Sequence, residues 1–147
     1  VTAHHLRMNR NAMFWGGMNP IYYCKPVPKR EMHRAKVRQY VTSGNRRLGA
    51  GTDSAPHDES VKSRCYGCAA GIFTAPSAVA LYTMTFDEDN ALEHLGPFLS
   101  ENFLDLYGMK VSSEMMTIER ERPFVPIKVG NVQVFDGGTV LPWKLIG

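Results

Sequence analysis

The run GTDSAPH, residues 51–57, sets a carboxylate, Asp53, and an imidazole, His57, four residues apart around a turn that Pro56 stiffens. A carboxylate at such a place can ligate a metal or act as a general base, and it can equally serve an Asx-turn or a helix cap. His57 can donate to an anion or ligate a metal, or simply be solvated. Cys65 and Cys68 have CxxC spacing, with Cys24 the only other cysteine. A zinc site of four cysteines within the chain is therefore impossible, and a site of three cysteines and one histidine lacks a second spaced pair. A thioredoxin-like role needs the motif at a helix start after a strand, which the surrounding residues do not clearly provide. His4 and His5 are adjacent, so a regular helix or strand points them away from a common ion. A packing or surface role is expected for them.

Elements must hold these residues in place. Residues 21–24, IYYC, form an apolar run bounded by prolines and predict a strand buried on both faces. The following KREMHRAKVRQYVTSG predicts a helix with Val37, Tyr40 and Val41 on one face, Pro28 near its first turn and Gly44 at its end. Residues 47–52 then fill the place of a second strand that ends at Asp53. Strand, helix, strand over this length is a parallel βαβ unit, and functional residues collect at the carboxyl ends of such strands. A long loop, of a length usually functional or disordered, is expected from residue 54 to residue 76. Residues 76–86 predict a helix buried on nearly every side. Residues 90–99 and 101–107 predict two short helices, with Ser100 capping the second and Gly108 stopping it. The tail alternates valines with Asp-Gly and Gly-Gly turns, which predicts one or two short strands or an extended segment packed on the body.

Composition bounds the function. The chain has 147 residues, 44% hydrophobic and 21% charged, which suits one globular domain. No apolar run is long enough to span a bilayer, and no charged-then-apolar leader is visible. Three cysteines make an odd set, which favours a reducing cytoplasm over a disulfide scaffold. Residues 1–50 hold ten Lys and Arg against one acid, Glu31, a net +9, while the whole chain carries +3. Such asymmetry can mark an anionic partner, or it can be the solvated face of a helix. Little aromatic interleaving accompanies the charge, which weakens a base-stacking reading. Two parallel strands are a thin inventory, because parallel sheets need both faces covered and usually more strands. The chain reads as the last part of a larger α/β protein, in keeping with its start at Val1.

Four stretches in order resemble the dihydroorotase family: HHLRMNRNAMFWGGMNPIYYCKPVPKRE, GTDSAPH, CAAGIFTAPSAVALY and NALEHLGPFLSENFLDLYGM. The similarity is to the compact, stand-alone class, runs over nearly the whole chain and is densest in residues 4–31 and 52–108. It implies an amidohydrolase (β/α)8 barrel, of which this chain is the C-terminal part: the last two barrel strands, residues 21–24 and 47–52, with their helices. The barrel segment covers residues 1–108 approximately, and residues 109–147 form a C-terminal extension of the same domain. The implied activity is the reversible conversion of N-carbamoyl-L-aspartate to L-dihydroorotate in pyrimidine synthesis, with two zinc ions bridged by hydroxide.

By the resemblance, Asp53 ligates one zinc and is the general base. His57 helps to hold the substrate carboxylate, and Lys25 and Ala70 contact substrate through their main chains, with Ala69 as the alternative register for the latter. The family's other zinc ligands are an HxH pair, a carbamylated lysine and two single histidines on earlier strands, and no segment here matches them. The chain alone is thus expected to be inactive, and the parent to be a cytoplasmic homodimer that engages neither nucleic acid nor membrane. Two other readings compete. One is a free-standing α/β module that uses the basic N-terminal third on nucleic acid or another anion. The other is a catalytically dead relative used in assembly, against which Asp53 and His57 weigh.

Overall fold

Val1 lies beside Ala50. Its ammonium donates to the Gly49 carbonyl at 2.6 Å, and the Gly51 N–H donates to the Val1 carbonyl at 3.1 Å. That alternation is the hydrogen-bond pattern of neighbouring parallel strands. The computed structural model describes residues 1–64, 66–110 and 112–146. In it the parallel partner of the segment ending at Asp53 is Val1, not residues 21–24.

The expected strand at residues 21–24 is replaced by a 3-10 turn, Pro20–Tyr22, followed by extended Tyr23. Pro20 fixes φ and starts the turn, and the Tyr23 N–H closes it onto the Pro20 carbonyl at 3.0 Å. Of the run IYYC, only Cys24 is buried. Arg47 lies in a turn closed by the Leu48 N–H on the Asn45 carbonyl, and residues 48–52 form no strand. A parallel strand needs a ladder, and this one meets Val1 on one side and a single bond from the Ala50 N–H to the Phe98 carbonyl at 2.8 Å on the other.

Helix α1, Ala3–Arg7, follows Val1 directly, with the Thr2 hydroxyl accepting from the His5 N–H. Helix α2, Glu31–Thr42, forms where expected and ends before Gly44, whose φ is +76°. Its attached face differs from the expected one. Val41 is buried, but Val37 and Tyr40 are exposed. The face turned inward is Arg34, Arg38 and Val41, spaced i, i+4, i+7. Arg34 Nη1 donates to the Leu6 carbonyl at 2.6 Å, and Arg38 reaches the Thr85 carbonyl, Glu88 and Asp89.

A short helix α3, Glu59–Lys62, breaks the long loop after Asp53. That loop is also pinned by a parallel bridge between Ser54 and Ile72, and the Ser54 hydroxyl accepts the N–H groups of Thr74 and Ala75. Helix α4, Ala78–Glu88, is the centre of the core and is buried almost all round, as its residues predict. Tyr82 and Phe86 pack on Phe98 with ring centroids 5.3 and 5.1 Å apart, and the Tyr82 hydroxyl donates to the Val1 carbonyl at 2.8 Å.

Beyond α4, Leu92–His94 forms only a 3-10 turn, and a wide helical turn, Pro97–Glu101, runs unbroken into α5, Asn102–Tyr107. Ser100 therefore sits inside a helical run and caps nothing. Leu95 and Gly96 continue the helical backbone between the two turns, so Pro97 lies inside a helical stretch that begins at Leu92. Gly108 ends α5 at φ +62°, as expected.

The tail forms four short strands rather than one or two. β1, Thr117–Glu119, pairs antiparallel with β4, Lys144–Ile146, and β2, Lys128–Val129, pairs with β3, Val132–Gln133, around Gly130. The tail also supplies Val125, Val134, Phe135, Leu141 and Trp143 to the core. Among the described residues, no helix is long and apolar enough to cross a membrane.

Candidate active site

Asp53 stands at the carboxyl end of residues 48–52, exposed, with φ +44°. Aspartate tolerates this left-handed conformation better than most residues, yet it remains a sparsely populated state held by its surroundings. The holding comes from both sides: Gly51 bonds Val1, and Ser54 is bridged to Ile72. No hydrogen bond or ion pair among the described residues engages the Asp53 carboxylate, so it is free to bind an external group.

His57 is half-buried and donates Nε2–H to the Ala70 carbonyl at 3.0 Å. This geometry requires Gly71 next door. Its φ is +142°, and a Cβ there would fall 2.5 Å from the Ala55 Cβ and 2.9 Å from His57 Nε2. The enclosed space among Ile21, His57, Lys62 and Phe135 is about 10 Å³, room for one water at most. A substrate must therefore meet these residues from their open side.

The segment after the CxxC motif has a defined main-chain pattern. The Ala69 N–H donates to the Val61 carbonyl at 3.1 Å, and the Gly71 N–H donates to the Tyr23 carbonyl at 3.0 Å. The Ala70 N–H between them has no acceptor among the described residues. Lys25 lies exposed two residues beyond Tyr23, so the structure brings the Lys25 and Ala70 segments together through Tyr23.

Lys62 escaped the sequence reading. It is 5% exposed, and its ammonium donates to the Tyr23 carbonyl at 2.6 Å and the Ala69 carbonyl at 3.0 Å. Burial lowers its pKa from the ordinary lysine value. A lysine ending a short loop helix normally reaches solvent, and nothing in its type or spacing signals otherwise.

His4, His5 and Cys24 come together in space. Although the histidines are adjacent, ligand atoms of all three lie within 4.8 Å of one another. His5 is nevertheless committed: its Nε2–H donates to the Pro26 carbonyl at 2.8 Å, which leaves Nδ1 to accept from the Thr2 hydroxyl at 2.6 Å. His4 is fully buried and neither ring nitrogen has a partner. Burial first, then the nearby charges of His5 and Lys62, bring its pKa down to about 3 and keep it neutral. Burial pushes the Cys24 thiol up to about 11, with Asp53 adding to the rise. This is a packed cluster, in line with the packing role expected. Cys65 lies outside the described residues, so the CxxC motif has only Cys68 on view.

Four of the ten basic side chains in residues 1–50 enter internal ion pairs. Arg7 pairs with Glu88, Arg34 with Glu31, Arg38 with Glu88 and Asp89, and Arg46 with Asp105. Those pairs neutralise part of the basic face.

No protein-family model matches the chain. A dihydroorotase of Synechococcus sp. (strain CC9902) is 45% identical over 145 residues, covering 99% of this chain and 42% of that protein. Over nearly all of its own length the chain is similar to part of a dihydroorotase. The mitochondrial dihydroorotase of Arabidopsis thaliana is 46% identical over 142 residues, which is 97% of this chain and 36% of that protein.

Two solved dihydroorotases share the fold. One, from Saccharomyces cerevisiae in complex with 5-fluoroorotic acid, gives a TM-score of 0.91 at 30% identity over 99% of this chain and 42% of that one. The other, from Campylobacter jejuni, gives 0.86 at 31% identity over 100% and 44%. The chain thus spans about two-fifths of the length of these dihydroorotases, and its architecture is that of part of an amidohydrolase barrel.

Proposed function

We propose that this segment forms one side of the active site of a zinc-dependent dihydroorotase, which interconverts N-carbamoyl-L-aspartate and L-dihydroorotate. The observation that carries the reading is the uncommitted Asp53 carboxylate, held in left-handed backbone at the end of the parallel pair, with the His57–Ala70 bond following four residues along the chain. An exposed carboxylate free of internal bonds suits a metal ligand, so Asp53 fits as one zinc ligand. Zinc, when bound, acidifies water and polarises the ring carbonyl. One carboxylate cannot hold two ions, and the remaining ligands must come from other segments.

Asp53 acts as general base. It takes a proton from the water that adds to the ring carbonyl and returns it to the ring nitrogen as the C–N bond breaks. His57 holds the substrate carboxylate through Nδ1, because Nε2 is spent on Ala70. The Ala70 N–H supports Ala70 rather than Ala69 as the main-chain contact, since both polar groups of Ala69 are already bonded. Lys25 supplies the second main-chain contact. The partner is a small molecule, and the parent is a cytoplasmic homodimer.

The test is an assay of dihydroorotate hydrolysis with added zinc, on the full-length protein that contains this segment and on the 147-residue chain. The full-length protein should turn over and lose activity to a chelator, while the chain alone should not. An inactive full-length protein overturns the function. Metal-dependent turnover by the chain alone overturns the need for further ligands.

A further inference from the structure

A buried ammonium carries a heavy desolvation cost unless its protons are used. Lys62 has no ion-pair partner among the described residues and uses its protons on two carbonyls from distant parts of the chain, Tyr23 and Ala69. The Tyr23 carbonyl also takes the Gly71 N–H, and the next carbonyl after Ala69, that of Ala70, takes His57 Nε2–H. One cation therefore ties the chain just before Lys25 to the chain just before Ala70, while His57 grips the adjoining peptide. The aromatic face of Tyr23 adds to this, with Lys62 Nζ 5.9 Å from its ring centre. The peptide whose N–H meets no acceptor among the described residues is the one between these fastenings.

We propose that Lys62 is a positioning residue for substrate binding: its ammonium cross-links the Tyr23 and Ala69 carbonyls and so holds the Ala70 N–H, the Lys25 main chain and His57 in one register. The assignment rests on the dihydroorotase reading for what these groups bind, whereas the clamp itself stands on the geometry alone. Lys62 touches no reacting atom in this scheme. Its effect passes through the two loops, so its loss should weaken binding more than it slows chemistry.

The experiment uses the full-length protein with Lys62→Met and Lys62→Gln, the latter retaining a single amide donor. Loss of a charge-assisted bond to the loop should raise KM for dihydroorotate about tenfold in Lys62→Met, with kcat within about threefold. Lys62→Gln should fall between Lys62→Met and the parent, and it decides the question if Lys62→Met does not fold. A merely structural loss would lower kcat through the active fraction and leave KM in place, and that result overturns the proposal.

Amide hydrogen exchange over residues 66–73 gives a second readout that does not depend on activity. Exchange should quicken about tenfold in Lys62→Gln as the clamp opens. Unchanged exchange overturns the clamp even in an active enzyme. A parent protein with no turnover overturns the dihydroorotase reading instead, and the exchange measurement still decides the clamp.

Discussion

His57 donates Nε2–H to the carbonyl oxygen of Ala70 across 3.0 Å, thirteen residues further along the chain. The bond sets which ring nitrogen faces outward. Under the proposed function, Nδ1 is the ring nitrogen left to face the substrate carboxylate. Glutamine reproduces the Nε2 donor but not the outward nitrogen. His57→Gln in the full-length enzyme should keep the fold and raise KM for dihydroorotate about tenfold, with a smaller change in kcat. Steady-state kinetics with a thermal melt check both halves.

Gly71 sits where no Cβ fits. In Gly71→Ala the new methyl would meet Ala55 Cβ at 2.5 Å, in a backbone conformation that alanine disfavours. The loop must shift away from His57 and break the Ala70 contact. A stability loss of about 1–3 kcal/mol in urea unfolding is expected, together with weaker substrate binding. Gly67→Ala is the control: its φ of +65° is also left-handed, but a Cβ there meets nothing within 4 Å, so it should show the backbone strain without the clash.

Asp53 has φ +44°, so alanine and asparagine test different things. Asparagine tolerates the left-handed region and removes only the charge. Asp53→Asn should lower kcat by about 10²-fold or more while the melting temperature stays near that of the parent. Asp53→Ala should lose activity as well and add backbone strain. Activity near normal in Asp53→Asn would end its assignment as base.

His4 makes the fold acid-sensitive. Burial, with His5 and Lys62 nearby, brings its pKa down to about 3, below the ordinary histidine value of about 6.5 that applies in the unfolded chain. Between those limits the unfolded chain binds a proton that the folded one refuses, so stability falls as pH drops from about 6.5 towards 3. The slope from this group is at most about 1.4 kcal/mol per pH unit. His4→Gln should flatten that part of the profile in urea unfolding measured from pH 7 to pH 4.

The residue types at positions 53 and 57 are legible in the residues alone, whereas the left-handed backbone at Asp53 is not. The end of α5 at Gly108 and the burial of α4 are legible too: one follows from glycine's left-handed freedom, the other from an apolar run with no polar face. The strand at residues 21–24 misleads because hydrophobicity reports burial, not ladder pairing. Pro20 turns those residues into a 3-10 loop, while the pairing with Ala50 falls to Val1. The inward face of α2 is hidden as well. Arginines read as solvent-facing, yet Arg34 and Arg38 anchor the helix on carbonyls and on the acids ending α4.

By itself, the sequence determined the family likeness, the chemical types at residues 53 and 57, and the local turns and stops, all set by short-range backbone preferences. Only the tertiary structure decided that Lys62 is buried, that it joins the Tyr23 carbonyl to the Ala69 carbonyl, and that the Ala70 N–H meets no acceptor among the described residues. Those outcomes depend on which distant carbonyls come within reach of one flexible side chain. Residues 23 and 62 lie far apart in sequence; the β2–β3 hairpin holds α3 through Lys128 and Gln133 on Glu59, and Phe135 just beyond it packs on Tyr22.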